Sequence, residues 1–142
     1  MAQSLSPDAQ ITALMHRYAT GIDTKNWELL ASCFTEDAVS DYGEIGVWRS
    51  AHEITDYMAA THADMPNTKH MMHNVVVEVT DADHATAVTY VHVVLVLADP
   101  SQWIDAVGHY DDVLVRGDGQ WRIAERRFTM ARTVTSFQLG GS

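Results

Sequence analysis

A chain of 142 residues, 46% hydrophobic and 20% charged, has the size and composition of one globular domain with a real core, not of a disordered or fibrous protein. With 19 acidic residues against 9 basic ones the formal charge is −10, which argues against nucleic acid or an anionic membrane as partner, because phosphate binding needs a basic face. The opening Met1-Ala-Gln-Ser-Leu-Ser-Pro7 lacks a basic stretch and a long apolar run, and Val93–Ala98 is too short to span a bilayer, so a cytoplasmic location is expected.

Ser6-Pro7 has the form of a helix start, with Ser as cap and Pro at the first helical position. Ile11, Leu14, Met15, Tyr18 and Ile22 then recur at helical spacing as one apolar stripe. Gly21 suggests that this helix is closing, with Asp23 at or just past its last turn. A second short helix is expected over Trp27, Leu30, Ala31 and Phe34, stopping near Thr35-Glu36-Asp37. Cys33, the only cysteine, lies in that apolar pattern and reads as a small core residue; it also rules out an internal disulfide. Ala38–Tyr42 reads as a short strand, and Ser50-Ala-His-Glu53 as a capping box opening a third helix with Ile54, Tyr57 and Met58 on one side.

From His70 the period changes to two. His70–Val79, Ala85–Leu97, Ile104–Val115 and Trp121–Val134 are four long strand candidates, joined by turns at Asp81-Ala-Asp83 and Gly117-Asp-Gly119. Helices first and antiparallel strands afterwards give an α+β fold: a curved, mostly antiparallel sheet wrapped around about three N-terminal helices, leaving a cone-shaped pocket for a small apolar ligand. One domain is expected over 1–142, with an ordered core over about 6–135 and a tail over 136–142.

The chemistry-bearing candidates are Asp23 and His70, since a carboxylate that orients an imidazole makes a general base tuned near neutral pH. The plain alternative for Asp23 is a cap on the helix of Trp27. On a regular strand His70 shares a face with Met72, Asn74 and Val76, while His73 shares the more apolar face of Met71, Val75, Val77 and Val79. Periodicity thus favours burying His73, the alternative base. His92 is either a core histidine or a second pocket histidine on Tyr90's face. Arg127 has the parity of Trp121 and Ile123, so an inward position is expected for it, with a surface ion pair as the alternative. No spacing of histidines or carboxylates suggests a metal site, and there is no phosphate loop or nucleophile elbow, so no cofactor is expected. Val91, Val93 and Leu95, read as outward-facing and too apolar for water, predict a homodimer or homotrimer.

The segments Tyr18-x4-Asp23-x3-Trp27, Phe34-Thr-Glu-Asp-Ala-Val39, Asp41-Tyr42-Gly43, Thr68-x-His70-Met-x-His73-Asn74, Gly108-x-Tyr110-x-Asp112 and Trp121-Arg-Ile-x-x-Arg-Arg127 run in the order found in a known family. Through them the chain resembles the SnoaL-like branch of the nuclear transport factor 2-like superfamily. Within it the chain is most similar to the group of scytalone dehydratase, bile-acid 7α-dehydratase and hexachlorocyclohexane dehydrochlorinase. The resemblance implies a cofactor-independent lyase or isomerase with Asp23 and His70 as its acid–base dyad. It also implies that Tyr18 and Tyr42 polarise a small apolar cyclic substrate, and it favours His70 over His73. The superfamily also contains non-enzymes, so a non-catalytic ligand-binding or subunit module is the alternative.

Overall fold

Ser6 caps the first helix in the computed structural model, which describes residues 5–138: its Oγ accepts the Ala9 N–H at 3.2 Å, and Pro7 follows at the first helical position. The expectations for residues 1–4 and for the end of the tail, 139–142, lie outside the described residues. Helix α1 (Pro7–Asp23) buries its whole predicted stripe, and Ile11, Leu14, Met15, Tyr18 and Ile22 are all fully covered. Gly21 does not close this helix. It lies inside it, and a Cβ there would come within 2.9 Å of the Leu30 amide, so its bare backbone is what lets α2 (Trp27–Ser32) pack close.

Helix α2 is shorter than the sequence suggests. Phe34–Asp41 is strand β1, because Phe34 enters a ladder with Ile123 whose N–H donates to the Cys33 carbonyl at 2.9 Å. Tertiary pairing outweighs the helical spacing of Phe34 with Trp27 and Leu30. The cap of α2 is Asn26, not Asp23. Strand β2 (Val47–Trp48) folds back on β1. Ser50 caps α3 (Ala51–His62) as expected, its Oγ accepting from Glu53 N–H at 3.0 Å, and the Glu53 carboxylate reaches one residue past the cap to accept from Arg49 N–H at 2.7 Å.

The four long strands are β3 (Asn67–Asp81), β4 (His84–Val96), β5 (Trp103–Gly117) and β6 (Gln120–Thr135). They join β1 and β2 in one curved six-stranded sheet of order β2-β1-β6-β5-β4-β3, antiparallel except for β1 beside β6. The β5–β6 turn is the predicted Asp-Gly hairpin, with Asp118 and Gly119 both at positive φ, 52° and 75°.

Bulges in this sheet decide which side chains face the core. Between the pairs Met72↔Val91 and Val75↔Thr89, β3 spends one more residue than β4, so the inward set switches parity at His73-Asn74. His70 and Met72 point inward before the bulge, and Val75 and Val77 after it. In β6 the pairs Leu114↔Ile123 and Val113↔Glu125 leave Ala124 extra. Trp121 and Ile123 therefore face the core with Arg126, not with Arg127. On β4 the inward residues are Ala85, Ala87, Thr89, Val91 and Val93, so the expectation that Val91 and Val93 face outward is overturned.

Candidate active site

Asp23 is the last residue of α1, and the buried stripe beside it presses this helix end against β3. Its Oδ1 accepts from the His70 ring at Nδ1 (2.7 Å) and from the Thr68 hydroxyl (2.9 Å), while Oδ2 accepts the His70 backbone N–H at 2.8 Å. Side-chain exposure is 17% for Asp23 and 6% for His70. Burial alone would push the Asp23 carboxyl up. The ring and backbone hydrogen bonds from His70, with Thr68, outweigh it and hold the group below the ordinary aspartate value. An ionised carboxylate only accepts, so His70 Nδ1 carries the hydrogen and Nε2 keeps the lone pair of the neutral ring. His70 Nε2 has no partner among the described residues and is not sealed from solvent.

Beneath the pair lies a buried tyrosine group. The hydroxyls of Tyr18 and Tyr42 are 2.9 Å apart, and the Tyr18 edge meets the His70 ring at 6.5 Å and 89°. Tyr110 packs against both tyrosines, with centroids 5.7 Å and 6.2 Å away. Phe128 closes over Tyr42 and Tyr110, which is possible because Gly108 has no side chain: a Cβ there would stand 2.7 Å from the Phe128 ring. Burial first, reinforced by the neighbouring tyrosine, raises Tyr18 and Tyr42 well above the ordinary tyrosine value, so both stay protonated donors. The Arg126 guanidinium lies 3.8 Å from the Tyr110 centroid and 4.3 Å from that of Tyr18, and it clasps Asp112 at 2.8 and 2.9 Å. An open cleft of about 540 Å³ reaches this group, lined by Tyr42 and Phe128 between Asp41 and Met130.

Asp23, His70, Tyr18 and Tyr42 therefore come together, and three predicted site residues do not. His73 is exposed on the outer face of the sheet, where its ring stacks on His92 at 6.4 Å and 27°. His92 shares Tyr90's face as expected, but that face is the outer one. Its Nε2 bonds Asp105 at 2.9 Å, so it is not a pocket histidine. Arg127 is exposed, with Asp41 and Asp111 as its register partners, because the bulge at Ala124 turned it outward. Sequence reasoning gave no site role to Thr68, Tyr110, Asp112 and Arg126, although they stand in the quoted segments, nor to His62. Arg126 was one bulge away from being found, and Thr68 stood two residues before His70. Among the described residues no group of three or more His, Cys, Asp or Glu side chains is placed to hold a metal ion, and no helix is long and apolar enough to cross a membrane.

Over residues 3–127 the sequence matches the SnoaL-like domain. The chain belongs to that family. The uncharacterized protein Rv2910c from Mycobacterium tuberculosis is 30% identical over 124 residues, which cover 86% of this chain and 84% of its own. A candidate scytalone dehydratase from Novosphingobium aromaticivorans superposes with a TM-score of 0.84 at 19% identity, covering 94% of this chain and 89% of that one. A type 2 LinA hexachlorocyclohexane dehydrochlorinase does so at 0.81 and 24%, with the same coverage. Identities this low show a common SnoaL-like fold and do not carry an activity across.

Proposed function

We propose that this SnoaL-like protein is a cofactor-independent lyase or isomerase acting on a small apolar, cyclic molecule. The observation that carries the reading is the double grip of Asp23 on His70, ring at 2.7 Å and backbone at 2.8 Å. One carboxylate fixes the tautomer, the orientation and the strand position of the base, and it would stabilise the imidazolium as that forms. His70 Nε2 takes a proton from carbon. The electrons of that C–H bond form a carbon–carbon double bond while the bond to a leaving group on the adjacent carbon breaks. In the isomerase variant the proton returns to a different carbon.

The tyrosine pair supplies the electrophilic side. When two hydroxyls share one hydrogen bond, the accepting one keeps its own O–H to donate. Such a donor, aimed at a carbonyl or at a leaving oxygen, stabilises developing negative charge best where water is excluded. The rival reading, a module that binds without turnover, has no need for a carboxylate and an imidazole locked together; the hydrogen bond at 2.7 Å favours the catalytic one. The test is incubation with a panel of cyclic alcohols, ketones and halides, followed by mass spectrometry. Loss of water or halide, or deuterium uptake at carbon from D2O, supports the proposal. Binding of panel members with neither change would overturn it in favour of the binding module.

A further inference from the structure

His62 takes no part in the chemistry above, yet it lies against the base. It ends α3, is 5% exposed, and its ring centre is 5.8 Å from that of His70 at an interplanar angle of 35°. His70 is therefore held by Asp23 at Nδ1, by the Tyr18 edge and by the tilted face of a second imidazole. The tautomer of His62 is also fixed. Its Nδ1 lies 2.9 Å from the Met58 carbonyl, which can only accept, and 3.0 Å from Thr61 Oγ1, whose own proton goes to the Tyr57 carbonyl. Nδ1 thus carries the hydrogen, and Nε2 is left as a buried lone pair without a partner.

We propose that His62 is a positioning residue: a neutral imidazole, anchored on the Met58 carbonyl, that holds the ring plane of His70 and leaves His70 as the one ring that accepts a proton. The proposal rests on the reading of His70 as the base. Two imidazolium rings at this separation would repel each other in a poorly hydrated site, so one must stay neutral. The charged and titratable groups facing His62 are His70 from β3, Asp23 from α1 and Lys25 from the turn that follows. The Lys25 ammonium is itself tied to the Met65 carbonyl at 2.8 Å. Burial first, and then His70, hold His62 below the ordinary histidine value, against the opposing pull of the Met58 carbonyl and Asp23.

The experiment is NMR of protein labelled with 15N in its histidine rings, followed through a pH titration. His62 is expected to keep the neutral Nδ1–H pattern when His70 has already become imidazolium. In His62→Ala the His70 Nδ1 proton should exchange with solvent roughly tenfold faster, and His62→Phe, which restores a flat ring, should return it near the parent rate. Protonation of His62 before or together with His70, or an unchanged exchange rate in His62→Ala, would overturn the proposal. If His62→Ala does not fold, the order of protonation in the unaltered protein decides. None of these readouts needs a substrate, so failure here is separable from failure of the lyase reading, which shows in turnover.

Discussion

Asp23 gives both of its oxygens to β3, and its replacement tests the site more cleanly than any other single change. Asp23→Asn keeps the shape but offers His70 an amide that can hold the wrong tautomer; loss of the orienting carboxylate in a serine-protease triad costs ~10⁴ in rate, and a fall of that order is expected here. His70→Ala should cost a similar amount and the double variant little more, because the two act as one unit; turnover of whichever panel member reacts is the measurement. His73→Ala, on the outer face, should leave turnover and stability almost unchanged. Stability depends on pH through two of these groups. His62 is held below the ordinary histidine value, so below about pH 6.5 the unfolded chain binds a proton that the folded one resists, and stability falls. Asp23 is depressed as well, so its contribution is present above the ordinary aspartate value and is lost as pH falls further, below about pH 4. Urea melts at several pH values should show both declines, and His62→Phe should flatten the upper one.

The informative elements are strands β3 and β6, whose bulges lie beside the site. In β3 the apolar pattern and the family resemblance pointed to opposite faces, and the bulge at His73-Asn74 reconciles them: the resemblance holds before it and the apolar pattern after it. In β6 the bulge at Ala124 exchanges the fates of two neighbouring arginines. That assignment predicts a large asymmetry. Arg126→Met leaves Asp112 buried without its cation and should cost about 3–5 kcal/mol, whereas Arg127→Ala should stay within about 0.5 kcal/mol. Equilibrium urea unfolding of the two variants measures the difference; equal effects would mean the β6 register is wrong. The two clasping bonds to Asp112 and the tyrosine rings on both sides give Arg126 its position under the dyad.

For the whole molecule, the sheet wraps one face around the helices and leaves the other uncovered. Of the three residues that suggested an oligomer, Val91 and Val93 are inside the core and Leu95 packs half-buried against it. The outer face carries instead Val76 (61% exposed), Tyr90 (53%) and Val113 (38%), beside His73, His92 and His109. A homodimer or homotrimer remains the expectation, now resting on that face. Light scattering at micromolar concentration should return a multiple of 15.8 kDa, and a monomer mass would contradict it.

The sequence by itself determined the order of the helices and of every strand except the short β2, the core stripe of α1, the Asp-Gly hairpin and the fold class. All of these follow from local periodicity, capping and turn chemistry, which act over a few residues. It also singled out Asp23 and His70 by residue chemistry, and a resemblance to a known family favoured His70 over His73. The tertiary structure alone decided that β1 takes Phe34 from the helix before it, that Arg126 and not Arg127 is buried, that His92 faces outward, and that His62 lies against His70. A bulge arises from the pairing of one strand with its neighbour and inverts side-chain parity for every residue after it, so the outcome is absent from a strand read alone. The contact of His62 with His70 likewise depends on how α3 packs over β3, which no spacing along the chain encodes.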